Sequence, residues 1–307
     1  MPPNRDWALI SNYADKTLMK NYLAYHLSSK LKAFYSPRCE FVELFLNNDY
    51  LGVYLLTETI KIGTNRVNIP PNDNSYIVEK AQNYRENDQL IYSRTSNEDT
   101  NGIRFKVHYP KKASIEALAT IREHIENFER YLMTNTKGQD NHMDQWININ
   151  EYTKYYWVQE LSKNPDAATY SSIFFSWIKG ATITMGPVWD FDIAFGSYSK
   201  ETISQPEEWL IKRGYWHHNI IKDTVVARAR INFWKENKQI FFETINTADS
   251  ILSILNKAAN NNFRKWNVLQ STEYIYHRHS YNSYKDAVDN LKNWIRCRFE
   301  WIDRELQ

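Results

Sequence analysis

Apolar residues in the first part of the chain recur with the period of an α-helix. Between residues 15 and 31 they stand at steps of three and four, as Leu18, Tyr22 and Tyr25 do, and Asp15 precedes them as a candidate N-cap. Side chains on one face of a helix return every three or four residues, and Asp is a preferred N-cap. This spacing predicts a helix over residues 15–31.

Strand patterns follow this helix. Residues 41–46 and 50–56 are rich in aromatic and other apolar side chains and are separated by Asn47-Asn48-Asp49. Asn and Asp favour tight turns, so the two runs should pair as an antiparallel hairpin. The apolar run at residues 76–79 predicts a further strand.

The middle of the chain alternates polar stretches with periodic ones. Residues 85–100 are polar and lack a period, which predicts a loop, and residues 103–107 form a short extended run. Apolar positions at helical spacing predict a long helix over residues 115–132, and a second helix begins near Asn150. The polar link at residues 135–144 is the best candidate for a boundary between lobes.

The last part of the chain begins with strands and continues as helices. Residues 172–177 and 182–185 are strand-like and flank Lys179-Gly180, which predicts a second hairpin. From Val225 onward the apolar spacing is helical.

These elements predict an α+β fold. A chain of 307 residues is long enough for one large domain. The polar link divides it into a hairpin-rich N-terminal lobe, residues 1–134, and a mainly helical C-terminal lobe, residues 145–307, which carries the candidate site. Cys39 and Cys297 lie near opposite ends of the chain and form no metal-ligand spacing, so we expect two free thiols.

Composition and charge make several kinds of partner unexpected. With 38 basic and 36 acidic side chains the net charge is +2, so no nucleic-acid partner is expected. The apolar runs are too short for a transmembrane segment, and residues 1–5 lack the apolar core of a signal peptide. If a signal peptide precedes these residues, we expect secretion or display at the cell surface. We expect a monomer.

Several catalytic motifs are missing. The chain has 8 Gly and contains neither a Walker motif nor G-x-G-x-x-G nor G-x-S-x-G.

The aromatic content of 15% would suit a glycan-binding surface, but core packing is the commoner use of such side chains. The histidines do not follow zinc-ligand spacing, and we expect them to be surface or hydrogen-bonded residues; they include His217, His218, His277 and His279.

Acidic residues around the second hairpin suggest phosphate chemistry. Asp190 and Asp192 follow a predicted strand two residues apart, and paired carboxylates of this kind suit Mg²⁺, although either could instead cap a turn. Asp166 comes after a predicted helix and before the hairpin. A helix, an acidic loop, a hairpin and a second acidic loop is the order of a kinase catalytic segment.

Longer segments of the sequence resemble the CotH family, which is named for a spore-coat protein kinase. The similarity extends over nearly the whole chain. It is carried by residues 6–16 (DWALISNYADK), 42–47 (VELFLN), 51–58 (LGVYLLTE) and 186–192 (GPVWDFD), and by two late segments, residues 262–266 (NFRKW) and 291–298 (LKNWIRCR).

The resemblance implies an atypical protein-kinase-like fold that binds ATP with Mg²⁺ and phosphorylates seryl residues of a protein substrate. It implies that Asp166 is the catalytic-loop aspartate and Asp190 the metal ligand, with Asp192 close enough to share that second role. By analogy with the Lys–Glu ion pair of ordinary kinases, Glu58 would orient a phosphate-binding cation.

Two departures from the family pattern bear on activity. Family members carry an upstream strand region and a Pro-Lys-Lys stretch, which these residues do not include. Ser171 stands where ordinary kinases have a metal-binding Asn, and Asn164 is a candidate to compensate. If the missing region supplies the phosphate-binding lysine, a substitute is needed; the candidates are Lys16, Lys20, Lys61 and Lys80. The alternative is an inactive CotH-like surface module that binds a protein or glycan.

Overall fold

Eight strands and seven helices make up the described part of the chain, which the computed structural model covers for residues 1–93, 103–134 and 142–307. The strands are β1 Trp7–Ser11, β2 Cys39–Leu46, β3 Asp49–Glu58, β4 Ser75–Lys80, β5 Leu90–Ser93, β6 Ile103–Tyr109, β7 Ile173–Ile178 and β8 Thr184–Met185. The helices are α1 Lys20–Lys30, α2 Ile115–Thr134, α3 Ile149–Ser162, α4 Glu201–Ser204, α5 Tyr215–Ile220, α6 Thr224–Lys265 and α7 Tyr284–Glu305. The α+β class is therefore confirmed.

The first sheet contains the predicted hairpin. Its strands lie antiparallel in the order β1-β3-β2, and β2 pairs with β3 from Cys39 opposite Thr57 to Leu46 opposite Asp49. Asn47 and Asn48 have φ angles of 48° and 68° in the turn, and Asn tolerates this left-handed conformation better than most residues. The local turn chemistry therefore fixes the hairpin where the sequence predicts it.

The second sheet crosses the predicted boundary between lobes. Its order is β5-β6-β4-β7-β8, and β4 pairs antiparallel with β7 from Ser75 opposite Ile178 to Lys80 opposite Ile173. Strand β4 belongs to residues 1–134 and β7 to residues 145–307, so the link at 135–144 does not separate two sheets. A polar sequence indicates that a link is exposed, but it does not predict whether strands on its two sides pair with each other.

Two local predictions need correction. Strand β5, Leu90–Ser93, lies inside the predicted loop of residues 85–100, whose residues 94–100 are outside the described part. Helix α1 begins at Lys20 rather than next to Asp15, because residues 16–19 form a turn. Met19 is the N-cap residue, so the prediction of Asp15 as N-cap is wrong, but Asp15 Oδ2 accepts a hydrogen bond from the Lys20 backbone N–H at 2.9 Å.

Helix α3 runs through the core and positions the candidate site. Tyr152, Tyr156, Trp157 and Leu161 have no exposed surface, and the helix packs against α1, α6 and α7. Because such buried side chains each contribute about 1.5–3 kcal/mol of burial free energy, the C-terminal end of α3 is held firmly. None of the helices in the described part of the chain is long and apolar enough to cross a membrane.

Candidate active site

Asp166 lies just beyond the C-terminal end of α3. Lys163 ends the helix in a left-handed conformation with a φ of 49°, and Asn164 and Pro165 turn the chain into a short helical turn, Asp166–Tyr170. A left-handed residue after the last helical turn stops the helix, and Pro restricts the residue before it. The Lys163 ammonium donates to the backbone carbonyls of Thr202 and Gln205 at 3.2 and 2.7 Å, which anchors this exit.

Hydrogen bonds of the Asn164 side chain connect Asp190 to the loop that carries Asp166. The Asn164 side chain is fully buried; its Nδ2 donates to the Asp190 carbonyl at 3.0 Å, and its Oδ1 accepts from the Asp166 N–H at 3.2 Å. Ser172 Oγ donates to Asp190 Oδ2 at 3.2 Å. Asn164 therefore joins the two acidic loops that the sequence predicts to meet.

The backbone around the aspartates is strained. Asp190 and Ser172 have φ angles of 64° and 59°. Non-glycine residues in this region cost about 1–3 kcal/mol each and persist where the surrounding structure holds them. The hydrogen bond between the Ser172 and Asp190 side chains therefore joins two strained positions.

Helix α1 holds the segment that carries Asp192. Asn21 Oδ1 accepts a hydrogen bond from the Phe191 N–H at 2.8 Å. The buried Lys20 ammonium donates to the Asp192 carbonyl at 3.4 Å and to Ser197 Oγ, and it lies 4.0 Å from Asp15 Oδ1. The second acidic loop is thus attached to α1 at consecutive helix positions.

The three carboxylates share a site in which negative charge is poorly compensated. Burial, with the Asp192 charge, raises the pKa of Asp166 to about 6. Burial, with the Asp190 charge, raises the pKa of Asp192 to about 6, while Lys20 opposes that shift. Burial and the Asp166 charge also raise the pKa of Asp190, which the Ser172 hydroxyl partly offsets. At neutral pH the site therefore favours an added cation.

The donor set fits a hard divalent cation held by few protein ligands. Asp190 and Asp192 offer carboxylate oxygens, and Mg²⁺ usually takes one or two carboxylates together with water and phosphate oxygens. Within the residues that the structure describes, no group of three or more His, Cys, Asp or Glu side chains is arranged to hold a metal ion. The site thus fits a cation that a phosphate ligand helps to coordinate, and it does not resemble an all-protein cage.

A cavity of about 450 Å³ opens beside Asp190. Phe174 and Trp189 supply aromatic surface, and Trp189 stacks on Tyr25 of α1 with ring centroids 5.9 Å apart. Its polar wall includes Ser171, which the sequence analysis singled out, and Glu79, whose carboxylate lies 2.7 Å from His108 Nε2. Aromatic surface with a few polar groups is typical of a pocket for a small molecule.

The structure does not bring Glu58 and Lys16 to the aspartates. Glu58 is fully buried at the end of β3, where its carboxylate pairs with Arg38, at 2.8 Å, and with Arg66. Its cation partners are therefore arginines. The Lys16 ammonium donates to the carbonyls of Leu269, Ser271 and His279 at 3.0, 2.6 and 2.6 Å, which ties down the segment after α6.

The other lysines considered as phosphate-binding residues lie in different parts of the structure. Lys61 pairs with Asp6 at 2.5 Å on the surface. Lys80 lines a small apolar cavity with His217, and burial lowers the pKa of Lys80 to about 8. The Lys20 ammonium reaches an aspartate of the site, through its hydrogen bond to the Asp192 carbonyl.

The remaining histidines and aromatic residues mostly serve the core. His217 Nδ1 lies 3.1 Å from the Tyr152 hydroxyl, and burial lowers the pKa of His217 to about 3. Trp216 and Trp234 are 6% and 0% exposed. Cys39 and Cys297 are free, as expected.

Sequence reasoning missed Ser172 and Asn21. Ser172 contacts Asp190 because of its left-handed backbone, and Asn21 reaches Phe191 across 170 positions of sequence. Neither contact leaves a periodic signal. Asn21 adjoins Lys20, which was a candidate only for its charge.

Comparison with known proteins identifies the family of the chain. A search of curated proteins found no match. A family model described as CotH kinase protein matches residues 1–302, which is nearly the whole chain. The order of the acidic loops, their connection through Asn164 and this match lead to one conclusion: the chain belongs to the CotH kinase family.

Proposed function

We propose that this chain is a protein kinase that transfers the γ-phosphoryl group of ATP, with Mg²⁺, to seryl hydroxyls of a protein substrate. The observation that carries the proposal is the meeting of Asp166 with Asp190 and Asp192, from two loops that Asn164 joins. Family membership supports a kinase. The choice of ATP, Mg²⁺ and serine is the finer part of the proposal.

In this mechanism Asp166 accepts the proton of the acceptor hydroxyl. A pKa of about 6 keeps its carboxylate mostly ionised at neutral pH yet basic enough to take a proton in the transition state. Asp190 and Asp192 would hold Mg²⁺, which when bound neutralises charge on the phosphate oxygens. Asn164 and Ser172 keep the carboxylates in position.

The cavity beside Asp190 is where we propose that the nucleotide binds. Phe174 and Trp189 would contact the base, and the phosphates would extend toward Asp190. The lining of this cavity comes from the residues after β3, from the five-stranded sheet and from the Trp189–Asp190 segment, so the nucleotide would lie against the second sheet. Glu58 would act on the nucleotide only indirectly, through Arg38 or Arg66.

Two measurements test the proposal. Mg²⁺ and ATP together should raise the melting temperature of the protein, because a ligand that binds only the native state stabilises it. Transfer of labelled phosphate from ATP to an acceptor protein should be lost in Asp166→Asn, while the far-UV circular dichroism spectrum stays that of the parent.

Three outcomes separate the alternatives. Transfer by Asp166→Asn at the parent rate would remove the role given to that residue. No melting shift with any nucleotide would favour the inactive binding module. ATP consumption without a phosphorylated protein would indicate a phosphohydrolase that uses the same carboxylates on water.

A further inference from the structure

A second cavity lies on the Asp192 side of the site and contains a serine. Its volume is about 310 Å³, far above the roughly 10–15 Å³ that one water needs. Ser197 lines it and is partly exposed, five residues after Asp192. The Ser197 hydroxyl accepts a hydrogen bond from the buried Lys20 ammonium.

The ionisable side chains around this cavity include more basic groups than carboxylates. Lys16, Lys20, Arg278 and two histidines, His277 and His279, line it, and Asp15 is the one carboxylate among the lining residues. The Asp15 carboxylate already accepts three hydrogen bonds, from the Thr17 N–H and hydroxyl at 2.8 and 2.6 Å and from the Lys20 N–H at 2.9 Å. The cavity therefore has an excess of positive charge.

Arg278 faces the residues that follow Ser197. Its Nη1 donates to the Tyr198 and Ser199 carbonyls at 3.1 and 2.9 Å. Within the described residues, its Nε and Nη2 make no hydrogen bond. The guanidinium thus has donors to spare, and Arg278 lines the same cavity as Ser197.

We propose that Ser197 is a phosphorylation site whose phosphate is held in this cavity by Lys20 and Arg278. A phosphate on Ser197 would carry close to two negative charges and three acceptor oxygens into a basic pocket, which forms charge-assisted hydrogen bonds. The phosphate would join α1, the segment after Asp192 and the segment between α6 and α7. Lys20 belongs to α1, Ser197 to the segment after Asp192, and Arg278 to the segment between α6 and α7.

This inference rests on the proposed function in one respect only, namely that a kinase of this kind supplies the phosphoryl group. The Ser197 Oγ attacks the γ-phosphorus of a nucleoside triphosphate and forms the ester bond. The bond from that phosphorus to the bridging oxygen breaks, and the nucleoside diphosphate leaves with the electron pair. The hydroxyl proton passes to the Asp166 carboxylate of the molecule that acts as the kinase, and then to solvent.

The first experiment does not depend on kinase activity. Phosphoserine is incorporated into the full chain at position 197 and, as a control, at position 253, which is exposed on α6. We expect phosphate at 197 to raise the melting temperature by about 2 °C or more and phosphate at 253 to produce no rise. Arg278→Gln should remove at least half of the rise. Equal effects at both positions, or a fall at 197, overturn the proposal.

The second experiment identifies the source of the phosphate. The dephosphorylated chain is incubated with Mg²⁺ and ATP and mapped by peptide mass spectrometry, with Asp166→Asn as the control. We expect phosphate on Ser197 in the parent and none in the variant. Phosphorylation of an acceptor protein while Ser197 stays unmodified overturns phosphorylation of Ser197 by this chain and leaves the proposed function standing.

Two further outcomes complete the test. Stabilisation by phosphoserine 197 in a chain that transfers no phosphate would remove the proposed function and support the site as a target of another kinase. Inorganic phosphate that stabilises the unmodified chain as strongly as phosphoserine 197 does would indicate a site for free phosphate and overturn the attachment to Ser197.

Discussion

At the scale of single residues, the site holds three buried carboxylates whose negative charge is only partly compensated by positive groups. Burial and mutual repulsion raise the pKa values of Asp166 and Asp192 to about 6. Such an arrangement destabilises the metal-free protein at neutral pH and is typical of sites selected for function. Two predictions follow from the direction of these shifts.

Asp166→Asn should stabilise the metal-free protein at pH 7. The carboxyl has a pKa of about 6 in the folded protein against 3.8 as its ordinary value, so the folded state binds the proton more tightly. The resulting penalty is absent below about pH 4, grows between pH 4 and 6, and is complete above pH 7. We expect a gain of about 1–2 kcal/mol at pH 7 that disappears at pH 4, measured by urea unfolding.

Asp303→Asn is the matched control for this substitution. Hydrogen bonds from Lys238 and Trp234 lower the pKa of Asp303 against the opposing effect of burial. The same change of Asp to Asn should therefore lower the free energy of unfolding at pH 7. Equal signs at both positions would contradict the electrostatic explanation.

Divalent-metal affinity should fall as the pH decreases from 7 to 5. Protons compete with the cation for Asp192, whose pKa is about 6, and for Asp190. If one proton is displaced, the affinity should drop about tenfold per pH unit well below that pKa. Calorimetric titration with Mn²⁺ measures this, with the Asp190→Asn/Asp192→Asn double variant as the control. An affinity that stays constant from pH 7 to 5 would show that these carboxylates do not hold the metal.

At the scale of elements, α1 holds the second acidic loop. Asn21 accepts the Phe191 N–H, Lys20 contacts Asp192, and Tyr25 stacks on Trp189. Three side chains of one helix thus hold the segment that contains Asp190 and Asp192. A shift of α1 would move that segment with it.

Asn21→Leu tests this connection. The substitution leaves the buried Phe191 N–H without its acceptor, which should cost about 1–3 kcal/mol of stability. Because the loop would lose its position, we expect metal affinity to fall as well, measured by calorimetry under conditions where the variant remains folded. Ser29→Ala changes an exposed position of the same helix and should alter neither quantity. Unchanged metal affinity in Asn21→Leu would separate α1 from the site.

Local sequence patterns predicted most helices and strands, but they predicted less well how these elements contact one another. The Asn47-Asn48 turn located the β2–β3 hairpin, because left-handed turn residues and strand patterns are both local. Strand β5 was missed, since its four residues lie at a sheet edge among polar neighbours. The loop order around Asp166 and Asp190 was readable, whereas the Ser172 and Asn21 contacts depend on backbone angles and packing that single residues do not reveal.

At the scale of the whole molecule, a buried ion pair joins α3 to α7, the last helix. Arg298 of α7 and Glu160 of α3 are both fully buried, and their side chains are 2.7 Å apart. Arg298 also donates to the Pro206 and Glu208 carbonyls, both at 2.7 Å. This pair therefore links α3, the 206–208 segment and the C-terminal helix.

Arg298→Met should destabilise the protein by about 3–5 kcal/mol, because it leaves the Glu160 carboxylate buried without its cation. Glu160 would keep the Leu210 and Lys212 N–H groups, at 2.9 and 3.0 Å, so part of its charge stays compensated. The double variant Glu160→Gln/Arg298→Met removes both charges and should lose less than the sum of the two single losses. Urea unfolding of the four proteins gives the coupling energy, and the far-UV spectrum verifies that each is folded. Additive losses would mean that the two charges do not stabilise each other, and that α7 is held to α3 by apolar packing alone.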